Sequence, residues 1–189
     1  MNAKNLIKGT LIGTLVLFFW GATEWINPLP RKVYKSPKSS EAVNKVLMEN
    51  MEESGMYIWP NGPETRNEAG LPTESMYFMA KQSPDFYNPG KFMSGQLLIN
   101  LSLWFLLSFL LLKVNLGGHW QRVGFVMIIA MIAALSYLIP MWNWWGFSTP
   151  YVLVSLLNML LGWFLAASAV SWTLRNVFTP LVEPQAAFA

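Results

Sequence analysis

The chain has 189 residues, of which 53% are hydrophobic, 15% aromatic and only 12% charged, about half the charge of an ordinary soluble domain. It has no cysteine and one histidine, His119. Disulfides, thiolate catalysis, cysteine-held metal clusters, bis-histidine haem and multi-histidine metal centres within the chain are therefore excluded.

The apolar residues collect in four runs, 6–26, 95–112, 123–139 and 151–174, each near the roughly 20 residues that cross a bilayer core. The expected fold is an all-α integral membrane protein. It is a four-transmembrane-helix bundle with a small external α+β-like lobe between the first two helices. The expected divisions are 1–26, a lobe over 27–94, and three further helices with a tail over 95–189. Charge placement suggests the orientation. Lys4, Lys8, Lys113, Arg122 and Arg175, against Glu183 alone, lie on the N-terminus, the loop before the third helix and the tail. Segment 27–94 balances eight basic residues with eight acidic ones. By the positive-inside bias both termini are cytoplasmic and 27–94 is external. The basic net charge thus records topology, and nucleic acid is not an expected partner.

In chain order, the first apolar run follows Lys4 and Lys8 as a signal peptide would. Trp20 and Trp25 crowd its small residues Gly21, Ala22 and Thr23, so an uncleaved anchor is the better reading. Gly9 and Gly13 form a GxxxG pair, read as a helix contact rather than a dimer motif. The helix is expected to stop at Asn27-Pro28-Leu29-Pro30. Ser39 or Ser40 can cap a helix over 41–53, with Gly55 as its stop. Its apolar stripe of Val43, Val46, Leu47 and Met51 should lie on the rest of the lobe. Met56-Tyr57-Ile58-Trp59 and Met76-Tyr77-Phe78-Met79 resemble each other and suggest a hairpin closed by the loop 60–73. Segment 83–90 reads as a turn-rich return to the membrane.

The second membrane helix carries Gln96, Asn100, Trp104 and Ser108 at i+4 steps, a polar and aromatic face. A Gly117-Gly118-His119-Trp120 loop then turns the chain back. The third helix has Ala130 and Ala134 for close approach and is expected to be capped by Pro140. Trp142, Trp144 and Trp145 beyond it fit an interfacial aromatic belt. The fourth carries small or polar residues on one face: Ser155, Asn158, Gly162, Ala166, Ala169 and Thr173. Apolar side chains gain little by leaving lipid, so such a stripe marks a packing seam. The seam predicts contact with the second helix through Asn100 and Asn158, roughly 9 and 12 Å deep by helical rise. It also predicts contact with the first helix, Gly162 and Ala166 facing Gly9 and Gly13.

Few residues invite a chemical reading. Asn100 and Asn158 either join helices or form a polar site for a substrate, quinone or lipid head group, and the joining role is the simpler one. Glu24, the one carboxylate beside an apolar run, reads as solvated near the helix end, since proton paths use chains of ionisable groups. His119 beside Trp120, Arg122 and Lys113 could serve as a single axial ligand but lacks a second ligand or supporting acid. No nucleophile–base pair, phosphate loop or paired-carboxylate motif occurs, so neither an enzyme nor a bound cofactor or metal is expected.

Gly13 followed by Phe18-Phe19-Trp20-Gly21, Trp25, Pro28, Glu41-Ala42-Val43 and Ser54-Gly55-Met56-Tyr57 with Pro60 forms a pattern. It resembles an uncharacterised family of small four-helix bacterial inner-membrane proteins with a periplasmic loop after the first helix. The resemblance covers the first third to half of the chain. It implies a location and topology but no catalytic residues. The expected role is a non-catalytic accessory or scaffold subunit of a larger membrane complex, respiratory or photosynthetic in kind, with the bilayer itself as the other partner. A small transporter or channel component, and a lipid- or quinone-binding protein, are the alternatives.

Overall fold

The computed structural model describes residues 2–26, 32–59, 67–71, 77–81, 88–114 and 116–177. The chain forms two compact units, one of residues 36–91 and the other of 1–35 with 92–189. The expected stop at 27–30, most of the loop 60–73, the return segment 83–87, the side chains of Glu24 and Trp25 and the tail with Glu183 lie outside the described residues.

In the larger unit, α1 (Ala3–Ile26) begins three residues before its apolar run. Asn2 starts it: its Oδ1 accepts from the Lys4 N–H at 2.9 Å and its carbonyl from Asn5 and Leu6. The smaller unit holds α2 (Ser40–Asn50), capped by Ser39, whose Oγ accepts from the Ala42 N–H at 3.2 Å. This helix ends before the expected Glu53, because Met51 turns extended and buries its side chain. Of the expected stripe, Leu47 is half-buried, whereas Val43 and Val46 stay exposed. β1 (Gly55–Trp59) pairs antiparallel with β2 (Tyr77–Lys81), Tyr57 opposite Met79.

α3 (Pro89–Val114) starts six residues before the apolar run. Proline fits the first helical turn, where its missing donor is not needed, and Asn88 Oδ1 accepts from the Lys91 N–H at 3.2 Å. Pro89 and Gly90, expected in a turn, are therefore helical.

α4 (His119–Ala133) also starts early, and its continuation corrects the reading of Pro140. One π-helical turn, Ala134–Leu138, leads into α5 (Ile139–Asn143), so helix runs on through the proline. A proline inside an α-helix loses one ladder bond and strains against the turn before it. Here the Ile139 N–H already reaches back to Ala134, five residues, so the wider turn takes up the misfit at Pro140 instead of ending the helix. α6 (Thr149–Thr173) closes the unit with Pro150 in its first turn.

Four stretches are long and apolar enough to cross a membrane: Ala3–Thr23, Pro89–Val114, His119–Asn143 and Thr149–Thr173. The chain is thus a mostly helical, multi-pass membrane protein. Its core is a cluster of Trp104, Leu107 and Leu111 from α3, Val123, Val126 and Ala130 from α4, and Trp163, Ala166, Ala167 and Val170 from α6. Ile12, Val16 and Leu17 of α1 pack on it.

Two glycines admit tryptophan rings to this core. A Cβ on Gly13 of α1 would overlap the Trp104 ring of α3, and one on Gly162 of α6 would overlap the Trp20 ring of α1. Leucine at either position should separate the helices. Gly13→Leu and Gly162→Leu are each expected to cost about 1–3 kcal/mol, the usual range for overpacking. Thermal unfolding in mild detergent reads this. Gly124→Leu, where nothing lies near a Cβ, should leave the midpoint unchanged.

Candidate functional site

Along α1, two contacts of mirrored design hold neighbouring helices. In the first, Trp104 of α3 is fully buried against Gly13, and the Thr14 Oγ1 hydroxyl donates to the Asn100 carbonyl at 3.3 Å. Asn100 is itself buried, and its Oδ1 accepts from Gln96 Nε2 at 3.0 Å, one turn earlier on the same helix. Gly9 sits where a Cβ would be 2.7 Å from Ser108 Oγ. In the second contact the ring belongs to α1. Trp20 Nε1 donates to the Asn158 carbonyl at 3.0 Å across Gly162. That carbonyl lies one helical turn before Gly162, and the missing Cβ leaves it open to a donor from outside.

Asn100 and Asn158 thus each offer a backbone carbonyl to α1, the one to Thr14 and the other to Trp20. Gly9 and Gly13 face α3, Gly162 faces α1, and Ala166 is wholly buried in the core. Trp142, Trp144 and Trp145 are all exposed, Trp144 most at 78%, and Trp142 Nε1 donates to Thr149 Oγ1 at 3.1 Å.

A third polar group lies at the start of α4. Arg122 is only 3% exposed. Its Nε donates to Ser171 Oγ of α6 at 2.9 Å, and its Nη1 to the Leu116 and Gly117 carbonyls at 2.8 and 3.1 Å. Ser171 Oγ in turn donates to the His119 carbonyl at 3.3 Å. The guanidinium thus ties α6 to the loop that enters α4 and satisfies carbonyls that a turn leaves without helical partners. Sequence reading takes Arg122 as an orientation charge and misses this role. The available signal is an arginine placed one turn into an apolar helix, where an unpaired charge is costly.

His119 stacks edge-on against Trp120 and Trp172, at 4.9 and 6.4 Å between ring centres, and Arg175 covers the Trp172 ring at 4.5 Å. His119 Nδ1 is enclosed without a hydrogen-bond partner, as are Trp104 Nε1, Ser108 Oγ and Ser168 Oγ. Among the described residues no group of three potential metal ligands converges. What this arrangement does chemically is join helices: the Thr14, Trp20, Arg122 and Ser171 donors each meet a backbone carbonyl or a hydroxyl of a neighbouring segment.

No protein-family model, curated protein or solved structure matches the chain.

The two kinds of tie differ in expected strength. Trp20→Phe removes one interhelical bond while keeping most of the ring, and should cost about 0.6 and at most about 1.7 kcal/mol. Arg122→Met removes a charged donor from three acceptors and should cost more, about 2–3 kcal/mol. Unfolding midpoints of the two variants in the same detergent check the order.

Proposed function

We propose that the protein is a non-catalytic accessory subunit that scaffolds a larger assembly in the bacterial inner membrane. In this reading both termini lie in the cytoplasm and 27–94 in the periplasm. The observation that carries the scaffold reading is how little of each spanning helix its own fold covers. Only 22–28% of each span is buried, while Phe19, Leu98, Phe105, Ile128, Leu157 and others lie exposed. Helices held at a few glycine–tryptophan contacts leave broad apolar faces to lipid and to other membrane chains. Thr14, Trp20, Arg122 and Ser171 are engaged in tying helices, which suits a protein whose product is a shape. The orientation draws support from charge: Lys4, Lys8, Lys113, Arg122 and Arg175 face Glu183 alone on the sides assigned to the cytoplasm, whereas 27–94 balances eight basic residues with eight acidic ones.

Purification from native membranes in mild detergent is expected to recover the chain in fixed stoichiometry with larger membrane proteins. Recovery as a lone chain would overturn the subunit reading. The natural absence of cysteine makes the orientation directly measurable. A single cysteine at Asn67 should react with a membrane-impermeant maleimide added to intact spheroplasts, and one at Asn2 should react only after lysis.

A further inference from the structure

A groove of about 590 Å³ runs between α1 and α3, lined by Ile7, Thr10, Leu11, Leu101, Phe105 and Leu106 with Ser102. We propose that it holds one acyl chain of an anionic phospholipid whose head group sits on Lys4 and Lys113. This goes beyond the scaffold reading and does not depend on it.

Three observations converge on that occupant. The groove offers carbon alone. Its two hydroxyls are spent within their own helices, Thr10 Oγ1 donating to the Leu6 carbonyl at 2.8 Å and Ser102 Oγ to the Leu98 carbonyl at 3.0 Å. A polar ring or head group would find no partner there, whereas an alkyl chain needs none.

Charge at one end is complementary. Gly13 faces Trp104 and Gly9 faces Ser108, so α1 and α3 run antiparallel in a register that brings Lys4 level with Lys113. Helical spacing puts Lys4 on the face of Ile7 and Leu11, and Lys113 on the face of Phe109, Leu106 and Ser102. Lys113 Nζ lies 5.7 Å over the Phe109 ring, at the same end. Both lysines are exposed, and no carboxylate occurs in 1–23 or 86–182 to neutralise them. Basic residues that flank a cleft between membrane helices recognise anionic head groups in this way.

The length also agrees. From Lys113 to Leu101 is about 18 Å along α3 at helical rise, close to one leaflet of a bilayer core, about 15 Å. A lipid with its phosphate at the lysines would therefore run past Leu11 and Leu106 and end its chain near Leu101.

The test uses the full chain, purified and delipidated in mild detergent, then titrated with phosphatidylglycerol or with phosphatidylcholine of the same acyl chains. Native mass spectrometry counts the lipid retained. Phosphatidylglycerol should be retained preferentially, and Lys4→Gln or Lys113→Gln should each weaken its retention about fivefold, the weight of one basic residue at an anionic surface. Ser102→Trp, which fills the groove from an exposed position, should reduce retention of both lipids without lowering the melting temperature. A photo-crosslinker at position 102 in native membranes should capture lipid. Equal retention of the two lipids, lysine variants that behave as the parent, or a polypeptide crosslinked at position 102 would each overturn the proposal.

Discussion

The fold of the larger unit depends on how close α1 can come to its neighbours. In water, helices are driven together by removing apolar surface from solvent, and almost any apolar face will serve. In lipid that drive is absent between helices, and close contact with hydrogen bonding must replace it. Here the replacement is a ring laid on a glycine. Trp104 lies on Gly13 and Trp20 on Gly162, so α1 supplies the flat place on one side and the ring on the other. Each contact brings a donor to a helical carbonyl: Thr14 to Asn100 and Trp20 to Asn158. Dispersion over a large flat ring and one directional bond act at the same spot, which fixes both spacing and register.

The opposite strategy holds α4 against α6. Arg122 brings a full charge into the interior, where it must be surrounded by acceptors, and Ser171 with the Leu116 and Gly117 carbonyls surrounds it. Those carbonyls come from the turn that starts α4, so the charge is satisfied only when turn and helix are both in place. The glycine–tryptophan contacts set distances along the helices. The arginine sets the geometry of one end. Between them the core of Leu107, Val126, Ala166 and Val170 needs little polar help.

The four spans are legible in composition because a membrane demands long apolar runs and few sequences satisfy that by chance. Their ends are less so. Asn2 and Asn88 start helices from polar residues outside the apolar windows, and Pro140 signals a stop that one π-turn makes unnecessary. The α6 seam is legible as a stripe of small residues, since close approach requires them. What fills the space is not. Trp20 and Trp104 look in the sequence like any membrane aromatic, and only the register of α1 against α3 and α6 pairs them with glycine. Asn100 and Asn158 attract notice as side chains, yet each is used across helices through its backbone carbonyl, a group that every residue has and no sequence pattern marks.

The sparseness of these ties has a consequence for the surface. A helix pinned at one or two flat contacts cannot lie flush along its whole length against its neighbour. The Trp104 ring on Gly13 props α3 and α1 a ring's thickness apart on one flank, and the groove beside Ile7, Leu11, Leu101 and Phe105 opens there. In water such a groove would be a defect to be closed by repacking. In a bilayer it is filled at little cost by solvent that is itself apolar chain. The contact that gives the bundle its register thus also leaves it a lipid-sized surface, and the lysines at one end determine which lipids that surface prefers.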